Sequence, residues 1–156
     1  MENRKLFLGK WCLASEINCS KLGNYQIAKY HWDDSEKINK DHKYLYNFYY
    51  QILDVLSIQL NKIHKKKESQ RYWHIIIGAW LYKFLVNSYD KWESLTYVFD
   101  QYKISKIFYY ETEYLDLVAS DCTEFNKIAN TEIWNNFLYT EIIKFKKKDG
   151  LIYEKI

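Results

Sequence analysis

Leu45, Phe48, Tyr49, Ile52, Leu56, Leu60 and Ile63 recur three or four residues apart. That spacing puts them on one face and predicts a long amphipathic helix beginning after Asp33. Asp33 followed by Glu36 has the spacing of a capping box, in which a side chain accepts from free backbone N–H groups at a helix start. His64 and the run Lys65–Lys67 interrupt the pattern, and Ser69 is placed to cap a second helix. From Tyr72 to Val86 this second helix is apolar almost all round, which predicts burial on several sides. Gly78 would cost up to ~1 kcal/mol relative to Ala if exposed in mid-helix. A neighbouring backbone is therefore expected against it, with Ile76 and Trp80 buried. Helical pattern resumes at Asp90-Lys91-Trp92 and runs to about Tyr102.

Shorter apolar runs flank these helices. Lys5–Gly9, Tyr25–Trp32 and Ile104–Tyr110 read as strands, and residues 13–24 as a loop. Asp121 and Glu124 repeat the capping-box spacing before a short helix. A last helix is expected over Thr131–Lys146, with Ile133, Trp134, Phe137, Leu138, Ile142 and Phe145 on its inner side. Strands separated by helices favour a parallel sheet with helical cover. The expected fold is α/β: a Rossmann-like three-layer domain with a small parallel sheet of about three strands and predominant helices. No linker, repeat or low-complexity segment divides residues 1–156, so they read as one domain.

Composition narrows the function classes. The formal net charge is +3, and the basic runs Lys65–Lys67 and Lys146–Lys148 are short and local, so nucleic acid is not the expected partner. Sixteen Tyr, eight Phe and six Trp read first as filling of the core and its margins, with stacking on sugars or bases as their other use. Cys12, Cys19 and Cys122 lack metal-ligand spacing, so neither a metal nor a cofactor is expected. Reduced thiols fit the cytoplasm. The start of the chain is too short an apolar stretch for a signal peptide. Tyr72–Val86 is shorter than the ~20 residues that span a bilayer, so no transmembrane segment is expected.

His31-Trp32-Asp33-Asp34 is the densest polar cluster, at a predicted strand-to-helix junction. Ligands of open α/β sheets bind at the carboxyl ends of strands. A His oriented by a carboxylate is suited to general base chemistry because imidazole titrates near neutral pH. The plainer account is that Asp33 caps the helix and His31 packs beside Trp32. Arg71, one of two Arg with Arg4, could bind a phosphate or an anionic sugar through two parallel hydrogen bonds, or pair with Asp33 or Asp34. Trp73 belongs to the same cluster. Trp11 could stack on a sugar ring, whereas Cys12 reads as a buried inert thiol. Asp90-Lys91-Trp92 and Trp134-Asn135 read as helix-packing residues with polar neighbours.

Taken in order, these segments resemble a known family. Leu6-Phe-Leu-Gly-Lys-Trp-Cys12, Tyr30-His-Trp-Asp-Asp34, Leu60-Asn-Lys-Ile-His64, Arg71-Tyr-Trp73 and Gly78-Ala-Trp-Leu81 are similar to transferases encoded in bacterial O-antigen and other surface-polysaccharide clusters. Asp90-Lys-Trp92, Glu124-Phe125 and Trp134-Asn-Asn-Phe-Leu-Tyr139 continue the series across nearly the whole chain. Ala79 departs from the family's usual Pro. The resemblance implies a two-domain glycosyltransferase with Rossmann-like halves, of which this chain is the amino-terminal, acceptor-side part without the donor-binding second half. On that reading, a nucleotide-activated sugar and a glycan acceptor bind only in the complete enzyme. The chain alone is inactive, and a carboxy-terminal half or a homo-oligomer would complete it. The catalytic candidates are His31, Asp33 and Asp34; the substrate-binding candidates are Arg71, Trp11 and Trp73. They are expected to converge on one cleft with Trp11 at its edge. A non-catalytic interaction module and a single-stranded nucleic-acid binder are the alternatives from other classes.

Overall fold

The computed structural model describes residues 4–13, 23–109, 117–146 and 151–155. Among these, two long helices dominate: α1, Ser35–His64, and α2, Gln70–Gln101. Two shorter ones, α3 (Cys122–Ile128) and α4 (Glu132–Lys146), follow. The strands are brief: β1 (Lys5–Phe7), β2 (Tyr25–Ile27), β3 (Lys106–Tyr109) and β4 (Ile152–Lys155). Single 3-10 turns occupy Lys10–Leu13 and His31–Asp33.

The three-layer Rossmann-like arrangement expected from the sequence does not form. β1 pairs with β2, Lys5 opposite Tyr25, and β3 pairs with β4, Lys106 opposite Ile152. Both pairings are parallel, but they are two separate sheets of two strands each. A two-stranded ribbon of three or four residues offers too little surface to carry helices on both faces, so helix-on-helix packing supplies the core. The alternation of short runs with long helices foretold parallel pairing, not which strands would pair. No strand was expected over β4.

α1 is capped by Asp34, not by Asp33 as the spacing implied. The Asp34 carboxylate accepts from the N–H groups of Glu36 at 2.9 Å and Lys37 at 3.3 Å. Its buried positions, Asp41, Leu45, Tyr49, Leu53 and Ser57, recur every fourth residue. At the other end Lys65 adopts the left-handed conformation (φ 52°) that terminates many helices. Asn61 then ties the turn: its side chain binds both the N–H and the carbonyl of Glu68, and accepts from Trp73 Nε1 at 3.1 Å. Ser69 caps α2 as expected, accepting from Tyr72 N–H.

α2 is one uninterrupted helix and the spine of the molecule. Trp73 and Leu81 pack with Tyr49 and Leu53 of α1. Trp80 and Phe84 turn the other way, against Phe125, Trp134 and Leu138 of α3 and α4. Further along, Leu95 joins Tyr139 and Ile143 of α4, with Leu8, Trp11, Ile107 and Tyr153 packed around them. Burial on two sides explains the apolar composition of α2. Gly78 is buried, but a side chain faces it, not a backbone: a Cβ there would lie 2.6 Å from Tyr49 Oη. Ile76, expected inside, is 59% exposed, and Trp80 is half-buried. Before α3, Asp121 accepts from Glu124 N–H at 2.8 Å, while the Glu124 carboxylate reaches back to Ser120 N–H.

Candidate functional site

The turn His31–Asp33 is fixed to both long helices. Trp32 Nε1 donates to Asp41 of α1 at 2.9 Å. Lys37 bridges Asp41 at 2.7 Å and Glu93 of α2 at 2.9 Å, closing the two helices at this end. His31 reaches into α2, where its Nε2 lies 3.0 Å from Asp90 Oδ1. The His31 side chain is 2% exposed and that of Asp90 12%. The second Asp90 oxygen accepts from Lys91 at 2.6 Å.

Burial pushes the Asp90 carboxyl up, but the His31 hydrogen bond, the Lys91 charge and the Tyr30 phenol outweigh it, and the group sits below its usual range. Asp90 is therefore an ionised, buried carboxylate, and such a group is tolerated only when its partners are in place. Burial, followed by the negative charge of Asp90, raises the phenols of Tyr30 and Tyr139. Both remain neutral donors at physiological pH. A carboxylate accepts only, so the nitrogen facing it carries the proton. Neutral His31 then bears its lone pair on Nδ1, and Nδ1 is buried without a hydrogen-bond partner among the described residues. A cleft of ≈ 290 Å³ adjoins this dyad, lined among others by Lys29, Tyr30, His31, Asp34, Glu93 and Thr96. The arrangement is an imidazole oriented by a carboxylate, with Nδ1 buried, in a residue that lines a cleft of mainly polar and charged side chains.

Trp11 packs against Tyr139 of α4. Its ring stacks on Tyr139 at 5.7 Å and 9°, and the Lys91 ammonium lies 5.7 Å from the centroid of that Tyr139 ring. Burial raises the Cys12 thiol, which disfavours the reactive thiolate. Asp33 is exposed, and Asp34 lines the cleft while its carboxylate serves the helix cap. Arg71 and Trp73 lie elsewhere. Arg71 is exposed in the first turn of α2, nineteen positions before Asp90 on a continuous helix, roughly 28 Å away at 1.5 Å per residue. Trp73 is buried at the hairpin turn and bonded to Asn61. His31 and Asp34 thus line one cleft, Trp11 packs on Tyr139 outside that lining, and Arg71 and Trp73 lie elsewhere.

Asp90 and Lys91 were read from the sequence as packing residues. The overlooked signal is register: Asp90 stands four and eight residues before Ser94 and Val98, on the buried stripe of α2. A carboxylate on a buried stripe demands a partner. Among the described residues no group of three or more His, Cys, Asp and Glu is placed to hold a metal ion, and no helix is long and apolar enough to cross a membrane.

No curated protein and no solved structure matches this chain. A family model does match, over residues 1–155, described as the LIC12162 family transferase. That match spans β1, the His31 turn, α2 and α4. The chain belongs to the LIC12162 family of transferases.

Proposed function

We propose that this transferase moves a sugar in bacterial surface-polysaccharide or O-antigen biosynthesis, and that the chain supplies the acceptor side of the reaction. In this reading Nδ1 of His31 takes the proton from an acceptor hydroxyl as its oxygen attacks the anomeric carbon of a nucleotide-activated sugar. The nucleoside diphosphate departs with the bonding pair. Asp90 holds the imidazole and stabilises the imidazolium, and Lys91 holds Asp90. The observation that carries the reading is the 3.0 Å contact of His31 with Asp90 at the edge of a polar cleft. General base catalysis of this kind contributes about 10²–10⁴-fold.

Donor binding belongs to another chain or to further sequence. A diphosphate favours helix N-termini with free N–H groups and no acid nearby. Here α1 is capped by Asp34 with Glu36 in its first turn, α3 by Asp121 with Glu124, and α4 has Glu132 in its first turn. Only α2, among the described helices, opens without an acid, and it opens far from His31. A carboxy-terminal half or a second copy of the chain would complete the enzyme in the cytoplasm.

Calorimetry with a panel of nucleotide-activated sugars tests this. The isolated chain should show no saturable donor binding, and transfer should appear on co-expression with the carboxy-terminal half of a longer family member. Tight donor binding by the chain alone would overturn the division of labour. A non-catalytic interaction module is the second reading, favoured by the exposure of Val55, Ile58, Ile75 and Ile76 on the long helices. Self-association without any transfer would mark it.

A further inference from the structure

α2 and the end of α4 carry aromatic surface that the core does not use. Phe145 is 79% exposed and Trp92 37%. Their ring centroids lie 5.8 Å apart with the planes at 55°, forming a shallow V. Trp92, Glu141, Ile142, Lys144 and Phe145 line an open groove of ≈ 580 Å³. Lys146 Nζ sits 3.8 Å from the Trp92 ring centroid and donates to Thr96 Oγ1, which fixes the indole. Thr96 also lines the cleft beside His31. Trp92 and Thr96 are one helical turn apart, so groove and cleft are neighbours along a single face of α2. At the rim Glu141 and Lys144 pair at 2.8 Å with about half of each side chain in solvent.

We propose that this groove is a carbohydrate subsite, holding a pyranose next to the sugar whose hydroxyl His31 deprotonates. A pyranose presents C–H groups on its faces and hydroxyls around its edge. An aromatic floor with a carboxylate and an ammonium at the rim answers both, the apolar face by stacking and the hydroxyls by accepting and donating hydrogen bonds. The subsite rests on the reading that the cleft takes a sugar acceptor. Its position makes the acceptor an oligosaccharide that lies across both sites.

The test is binding of the whole 156-residue chain to a microarray of defined bacterial oligosaccharides, followed by saturation-transfer NMR on the best-bound one. Saturating the aromatic protons should pass magnetisation to ring C–H protons of one face of a sugar. Phe145→Ala should weaken binding at least tenfold and Phe145→Tyr should restore it, with unchanged melting curves because the side chain is exposed. Binding to no oligosaccharide, binding indifferent to Phe145→Ala, or preference for single-stranded oligonucleotides would each overturn the subsite. The transfer assay with His31→Gln separates the two ideas. Loss of transfer in His31→Gln with binding untouched by Phe145→Ala leaves the base standing and removes the subsite. The reverse pattern removes the base and leaves the subsite.

Discussion

Nε2 of His31 lies 3.0 Å from Oδ1 of Asp90, and the opposite ring nitrogen, Nδ1, has no hydrogen-bond partner among the described residues. The contact joins a short turn before α1 to the buried stripe of α2. An acceptor left unsatisfied in the interior costs about 1–3 kcal/mol. On the proposed reading, a ligand hydroxyl reaching Nδ1 would remove that cost.

His31→Gln should lower kcat of the completed transferase by about 10²–10⁴-fold, the usual contribution of a general base. Asp90→Asn should lower it less, since the amide oxygen still accepts from Nε2 but no longer stabilises the imidazolium. Arg71→Ala, remote on the same helix, should leave kcat unchanged. Steady-state kinetics of the three variants check the order. Equal losses in all three would remove His31 from the chemistry.

Acid should unfold the protein through Asp90. The Asp90 carboxyl is held below its ordinary value, so the stability it confers is present above about pH 4 and is lost as pH falls through the lower, folded-state value. Thermal melts from pH 6 downward should show the wild type losing more stability than Asp90→Asn over that window. Parallel curves would mean that Asp90 is not so held. Tyr89, raised to about 12 by burial and its hydrogen bond to Asp41, stays neutral throughout this range.

Much of the helical framework was legible in the sequence, because periodicity reports a helix whatever it packs against. Ser69 and Asp121 could be read as caps from one residue and its neighbours. The sheet could not. β1 and β3 are local signals, but pairing β1 with β2 and β3 with β4 is a tertiary fact. Of the candidate site, His31 stood out in the sequence by its polar neighbours, whereas its partner Asp90 did not. Its signal was a charge in register with Ser94 and Val98, visible only once α2 is taken as one continuous helix through Asn87–Tyr89. Arg71 drew attention by rarity, and rarity carries no information about position.

The cap of α1 distinguishes two adjacent carboxylates. Asp34→Ala removes the acceptor for Glu36 and Lys37 N–H and should cost ~1 kcal/mol. Asp33→Ala removes an exposed carboxylate outside the cap and should cost less than ~0.5 kcal/mol. Denaturant melts of the two variants decide the matter, and the reverse order would restore Asp33 as the cap.

Gly78 should prove intolerant of a side chain for a reason that names its partner. Gly78→Val drives a Cβ toward Tyr49 Oη, which is itself held by His74 Nδ1 at 2.8 Å. The expected cost is about 1–3 kcal/mol. Tyr49→Phe in the same chain should recover part of it, giving a coupling energy in a double-mutant cycle. Strict additivity would place the clash elsewhere.

The most direct measurement of the central claim is the protonation state of His31, read by long-range ¹H–¹⁵N NMR on the imidazole between pH 6 and 9 and assigned with His31→Gln. The account predicts a neutral ring with the proton on Nε2 toward Asp90 and Nδ1 as an unprotonated acceptor that shifts when an acceptor oligosaccharide is added. A proton found on Nδ1 across the whole range would contradict it, because such a ring has no lone pair to offer the incoming hydroxyl.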